Sequence, residues 1–229
     1  MPTITDEEFG TITVRRSARA TQVRLRVAPD GTLRASMPLY APLFLLKRLV
    51  KSSRPQLRKM LDQAQPQTKY YDGQQIGKSH TLIVKPGTHT SVTSTKQHII
   101  ATLPHSKTLN DPDVVRGIRD ASISALRLEA KSYLPKRLKY LGEQLGFTYE
   151  KVRFSHASSR WGSCSSTGTI SLNIALMKLP FELIDYVIVH ELAHTVEMNH
   201  SQQFWELVLQ GDPQYKAHRR ALKQEAPSI

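Results

Sequence analysis

The chain has 229 residues, 39% of them hydrophobic and 22% charged, which is ordinary for a folded protein and enough for one sizeable domain or two small ones. No apolar run approaches the ~20 residues of a membrane helix, and the acidic start Met-Pro-Thr-Ile-Thr-Asp-Glu-Glu is unlike a signal peptide. A single cysteine, Cys164, excludes an intrachain disulfide and fits a reducing compartment, so the expectation is a cytoplasmic protein with no membrane association.

The net charge of +13 is the strongest compositional signal, because such a surface attracts polyanions through its field and through counterion release. Within residues 15–59, twelve Lys or Arg stand against one acid, Asp30, which makes this segment the expected surface for sequence-independent contact with DNA. The composition shows no low-complexity segment and no internal repeat at a solenoid period.

In chain order, residues 11–16 and 22–28 alternate apolar and basic positions, as half-exposed strands do. Pro29-Asp30-Gly31 is a turn signal, and residues 33–37 complete a hairpin. From Pro42 to about Leu61, apolar residues recur at helical spacing, with Pro55 an interruption. Residues 64–68 read as a linker. Residues 70–103 read as strands, with Gly73, Gly77 and Pro86-Gly87 at turns. A long helical pattern follows over 111–145, with Asn110-Asp111-Pro112 supplying a cap and an N1-type proline, and with Pro135 expected to kink or divide it. The last third reads as a strand at 150–154, a hairpin of 159–164 with 169–173, a helix from Pro180 to about Glu197, and helices at 201–209 and 213–224.

His190 and His194 lie four residues apart on the Pro180 helix, so they emerge one turn apart on one face and can share one zinc ion. Glu191, about 100° round the helix, can serve as general base toward a metal-activated water without being a ligand. His200 is the third expected ligand: a chain turn near Asn199, with Ser201 capping the next helix, points it back at the metal. Metzincins share this spacing, but Glu197 stands at their glycine position and no methionine follows Met198, which argues against that assignment.

The residues Ser159-Arg160-Trp161-Gly162-Ser163-Cys164, Leu172-Asn173, Val189-His190-Glu191-Leu192-Ala193-His194 and Asn199-His200-Ser201 with Phe204-Trp205 together resemble the YgjP-like metallopeptidase family, relatives of SprT-type proteases. The likeness is densest over 152–222 and includes Tyr215, Arg219 and Leu222. It implies zinc on His190, His194 and His200, Glu191 as base, and strands beside the active-site helix. SprT-type relatives act on proteins held on DNA. Among the other residues, Arg160 and Trp161 border a groove or pack the hairpin, Cys164 reads as structural, and Tyr215 is a candidate for stabilising an oxyanion.

The expected protein is therefore α+β, a small N-terminal α/β portion followed by a zincin-like metallopeptidase core of β-hairpin and active-site helices. Its expected segments are 1–68, basic; 69–145, strands and a long helix; and 146–229, the zinc core. The expected activity is peptide-bond hydrolysis on polypeptide substrates with a Zn2+ cofactor, on DNA-associated proteins among others. Two rivals stay open: a nucleic-acid-binding protein with structural zinc, and a zinc hydrolase of a non-peptide amide.

Overall fold

A computed structural model describes residues 2–27, 32–64 and 70–229, with backbone alone over 62–64. The chain is α+β and forms two units, Met1–Lys69 and Tyr70–Ile229. The expected linker at 64–68 begins too early, since Ala64 still belongs to the second helix of the first unit; the rest of that linker, the expected turn at 29–31 and the boundary at 68/69 lie outside the described residues.

The first unit is a sheet backed by two helices. Its strands β1 (Thr3–Asp6), β2 (Gly10–Arg16), β3 (Arg24–Val27) and β4 (Leu33–Met37) lie in the order β1-β2-β4-β3. The central pair β2/β4 is parallel and both outer pairs are antiparallel. Alternation turns Ile12, Val14, Leu33, Ala35 and Met37 to one face, where they pack on Leu46 and Val50 of α1 (Leu43–Ser52) and Leu57 of α2 (Arg54–Ala64). The expected break in this helical stretch falls at Ser53. Pro55 becomes the second residue of α2, where its missing N–H has no partner to lose. Asp6 and Glu8, in the turn between β1 and β2, pair with Arg54 and Arg58 of α2.

The second unit opens with the same topology. Strands β5 (Gln75–Ile76), β6 (His80–Pro86), β7 (Ser91–Ser94) and β8 (His98–Leu103) lie in the order β5-β6-β8-β7, again with a parallel centre and antiparallel flanks. The registers correspond: Val14 opposite Ala35 matches Val84 opposite Ala101, and Leu25 opposite Ala35 matches Val92 opposite Ala101. The hydrogen bond from Ser17 N to Met37 O, 3.0 Å, has its counterpart from Gly87 N to Leu103 O, 2.9 Å. The sheet motif is therefore present twice, a repeat the residue pattern alone does not reveal.

Helix α3 (Pro112–Leu145) runs unbroken for 34 residues, so Pro135 does not divide it. Pro135 lies between Leu134 and Leu138, both fully buried, and their packing offsets the single backbone bond a proline removes. Pro112 takes the N1 position as expected, but Asp111 makes no side-chain cap. Its carboxylate accepts instead from Thr108 N at 2.6 Å and Thr108 Oγ1 at 3.0 Å. The N-terminal half of α3 buries Val114, Ile118 and Ala125 against the sheet β5–β8. Its C-terminal half, Leu126 to Leu141, belongs to a second core formed with the elements that follow. These are β9 (Lys151–Ser155), β10 (Gly162–Cys164), β11 (Thr169–Asn173), a 3-10 helix Ile174–Lys178, and helices α4 (Phe181–Ala193), α5 (Gln202–Gly211) and α6 (Tyr215–Leu222). The strand order is β10-β11-β9, which makes β11 central and β10 an edge. A bidentate pair from Arg137 to Asp185, both bonds 2.7 Å, ties α3 to α4.

Glu129 joins the two halves of this unit. Its buried carboxylate accepts from Lys78 N at 2.6 Å, Ser79 N at 2.9 Å and His80 Nδ1 at 2.7 Å. Gly77 is required there, since a Cβ would stand 2.3 Å from Glu129 Oε2 and the residue has φ +68°. Lys78 Nζ then reaches Leu179 O at 2.5 Å, in the loop that starts α4. Glu129→Ala should strand two backbone donors and His80, and lower the unfolding free energy by about 3–5 kcal/mol. Urea titration of the full chain, followed by far-UV circular dichroism, measures this.

Candidate metal centre

Helix α4 buries Leu183, Ile184, Tyr186–Val189 and Leu192, and it carries polar groups at its two ends, Glu182 and Asp185 at the start and His190 and Glu191 in the last turn. The helix ends at Ala193 with His194 as its cap, short of the expected Glu197. Tight bonds wind it down: Thr195 N to Leu192 O at 2.9 Å, Val196 N to Ala193 O at 3.1 Å, and Thr195 Oγ1 to Leu192 O at 2.7 Å. The chain then turns back, and Ser201 caps α5 by accepting from Phe204 N at 3.3 Å.

That turn brings His200 to His190 and His194, and one ring nitrogen of each lies within 4.8 Å of the others. His190 Nε2 and His200 Nε2 are 3.2 Å apart. Two nitrogen ligands about 2.0–2.1 Å from a tetrahedral zinc stand roughly 3.3–3.4 Å apart, so this pair is at ligand spacing. His194 donates its Nδ1–H to Glu197 O at 3.1 Å, which leaves its Nε2 a free acceptor, as a metal ligand requires. Phe204, wholly buried, packs beneath all three rings with centroids 4.9, 4.5 and 4.7 Å away.

Electrostatics favour the neutral imidazoles. Burial, helped by the neighbouring His194, His200 and Arg219, pushes His190 down to about 3, and burial also lowers His194. Lone pairs at neutral pH, at the spacing of a shared ion, fit a divalent metal.

Glu191 is 5% exposed, and its Oε2 has no hydrogen-bond partner among the described residues. Burial raises it to about 8, with the nearby Arg160 acting the other way. A dication on the adjacent imidazoles would bring it back toward the carboxylate form. The edge strand β10 runs directly over it. A Cβ at Gly162 would stand 2.5 Å from Glu191 Oε1 and 2.7 Å from its Cγ, so only glycine lets strand and carboxylate approach this closely. The sequence shows Gly162 only as part of a resemblance; its role emerges from this contact.

The remaining candidates fall into place around the centre. Buried Asn173 donates to Ala157 O at 2.6 Å and Arg160 O at 2.8 Å, fixing the loop that carries Arg160 and Trp161 into β10. Cys164 ends β10, and burial, with the Glu191 charge, pushes its thiol up, which removes the thiolate a nucleophile needs. Tyr215 stacks on Trp205 at 5.4 Å and 17°, and Arg219 lies over the same Trp205 at 4.6 Å. Trp205 in turn packs on His190 and His200 at 6.0 and 5.7 Å. Tyr215 is thus joined to the histidines through the indole. Two groups were invisible to sequence spacing: Asp212, which accepts from His218 at 2.7 Å, and Tyr186, whose ring lies 6.0 Å from His190 and 6.4 Å from His218.

Three imidazoles gathered at one point, with a carboxyl group beside them and a strand edge above, suit a metal-dependent hydrolase. Residues 21–225 match the family described as YgjP-like, metallopeptidase domain, and the chain belongs to this family of metallopeptidases. Among solved structures, the metallopeptidase zymogen of Pyrococcus abyssi abylysin is 28% identical, with a TM-score of 0.36, over 39% of this chain and 92% of its own. No curated protein matches the chain.

Gly162→Ala should displace the Glu191 carboxylate while leaving the histidines in place. Peptidase turnover should fall about 100-fold at unchanged metal content, the cost of misplacing a reacting group by an ångström. Parallel metal analysis and peptide cleavage would measure both.

Proposed function

We propose that this metallopeptidase is a zincin-like zinc enzyme in which His190, His194 and His200 hold Zn2+ and Glu191 is the general base. The supporting observation is the three-imidazole cluster at ligand spacing beside a buried carboxylate that has no protein partner. Zinc, when bound, polarises a substrate carbonyl and lowers the pKa of water toward 7. Glu191 takes the proton of the attacking water and returns it to the leaving amine. The three segments expected from the sequence then divide the work. Residues 146–229 carry the chemistry, 69–145 brace it through Glu129 and α3, and the basic 1–68 directs the enzyme to proteins held on DNA, in a reducing cytoplasm. The net charge of +13 supports the DNA-associated substrates.

Purified protein should contain about one zinc per chain with imidazole and no thiolate in its first shell. Glu191→Gln should keep that zinc and lose turnover by about 10²–10⁴-fold, since it removes the base and no ligand. A Gln variant as active as the parent, or a protein that takes up no zinc, would sink the reading. Cleavage of peptides also separates it from both rivals, a structural zinc site and a non-peptide amidase.

The substrate is held, in this reading, as an extra strand on β10. The bonds Asn173 N to Trp161 O and Ser165 N to Thr169 O fix the antiparallel phase, so Ser163 bonds to Ser171 while the backbone groups of Gly162 and Cys164 point outward. Prolines within β11 would break its ladders on both sides, so a proline scan belongs on β10. Cys164→Pro should cut cleavage of unstructured proteins at unchanged zinc content, and Cys164→Ala should leave it near the parent level. Equal activity of the two variants would count against strand addition.

A further inference from the structure

The first unit carries a net charge of +8 in 69 residues, against +5 in the 160 residues of the second. Its helices cover only one face of the sheet. The other face forms a groove of about 1000 Å³ whose lining includes Arg15, Arg24, Arg26 and Arg34 among Thr13 and Ser36. The register sets these side chains in two adjacent rows. Arg26 stands directly opposite Arg34, with Thr13 beyond, and Arg24 stands opposite Ser36, with Arg15 beyond. Neighbours in this grid are roughly 5 Å apart across strands and about 7 Å apart along them.

We propose that this face is a binding site for the phosphate backbone of nucleic acid. This clustering of guanidinium groups suits a run of phosphates, which several of them can engage together. The fold does not demand it, because the second copy of the motif shows what the same positions hold otherwise. Ser91, Thr93 and Ile100 replace Arg24, Arg26 and Arg34, and Lys85 alone keeps the charge of Arg15. Two of the three acids at the β1–β2 connection, Asp6 and Glu8, pair with α2, and Glu7 is exposed. Among the described residues no carboxylate pairs with Arg15, Arg24 or Arg26, and Arg24 engages the neutral amide oxygen of Gln22 at 3.0 and 3.1 Å.

The chemistry between the arginines selects the anion. Thr11, Thr13, Ser17 and Ser36 supply hydroxyl donors for phosphate oxygens, and the described residues place no aromatic ring on this face to stack a base. Binding is therefore to the backbone, insensitive to sequence and steep in salt. An anionic membrane would require apolar side chains to insert between the charges, and the lining has none larger than alanine.

The proposal goes beyond the peptidase reading and is tested separately from it. Fluorescence anisotropy with the full-length chain would use labelled single-stranded DNA, duplex DNA and single-stranded RNA, and co-sedimentation would use phosphatidylserine vesicles. Arg15→Gln/Arg24→Ser/Arg26→Thr should weaken nucleic-acid binding about tenfold or more at ~50 mM salt and flatten the log–log salt slope by about 2–3. The lysine triple Arg15→Lys/Arg24→Lys/Arg26→Lys should retain most of the binding. Lys47→Gln/Arg48→Gln/Lys51→Gln on α1 removes the same charge from another surface and should change binding no more than about twofold. The thermal midpoint of Arg24→Ser/Arg26→Thr should stay close to the parent, since both side chains are exposed on the outer face of the sheet. Short-peptide turnover should be the same in all of them. No nucleic-acid binding by the parent at ~50 mM salt, equal losses in the sheet and α1 triples, or binding to vesicles alone would each overturn the proposal. An inactive peptidase that still binds DNA through these arginines would leave it standing.

Discussion

The centre depends on where helix α4 stops. A helix continued to Glu197 would carry the following residues round to another face and away from His190. Ending it at His194 lets the chain fold back within a few residues. The carbonyls freed at the helix end accept from Thr195 and Val196, and the Glu197 carbonyl turns inward to take the Nδ1 proton of His194. Termination, the tautomer of His194 and the return of His200 are one event. Phe204 secures it, because the residue that seats α5 in the core is the one on which all three imidazoles rest.

The second unit is arranged to keep that helix end still. Its bracing is polar where the core is weakest. Glu129 collects three donors from the start of β6, Lys78 carries the connection to the Leu179 carbonyl, and Arg137 grips Asp185 on α4 itself. Each ties a segment entering α4 to the long helix α3, whose C-terminal half is already buried beneath the centre. The sheet β5–β8 thereby supports the chemistry without touching it. The first unit repeats that sheet topology but bears arginines on its outer face, and the contrast separates what the motif needs to fold from what has been added to it.

Much of this was legible in the residues, and the failures have physical reasons. Alternation made β2–β4 and the strands of 70–103 legible but missed β1, whose four residues bury only Ile4, and helical spacing made α3 through α6 legible because one face of each is buried. The three histidines were readable since four residues is one helical turn and Ser201 announces the next helix. Other features depend on tertiary contacts. Pro135 could be read only as a break, because the packing of Leu134 and Leu138 that tolerates it comes from distant elements. The run Ile174–Lys178 is so uniformly buried that no periodicity distinguishes a 3-10 helix from a strand end. The repeat of the sheet motif escapes a reading by identity, because its copies share an inward pattern and little else. Gly162 carries no chemistry of its own, and its necessity is visible only with Glu191 beneath it.

Burial acts on Glu191 and on the histidines in opposite directions. The same desolvation that holds His190 neutral far below its usual range drives Glu191 upward to about 8. Without a cation, burial favours the unprotonated imidazole at His190 and His194 and the protonated carboxyl at Glu191. Placing a dication among them reverses the preference at Glu191 and leaves that at the histidines unchanged, since ligation needs their lone pairs. Glu191 would therefore be ionised with a metal on the histidines, and burial drives it toward the neutral acid without one. An exposed glutamate would stay ionised in both cases. In this fold the close cover of β10, made possible by Gly162, adds to the burial that would couple the charge of Glu191 to a metal on the histidines.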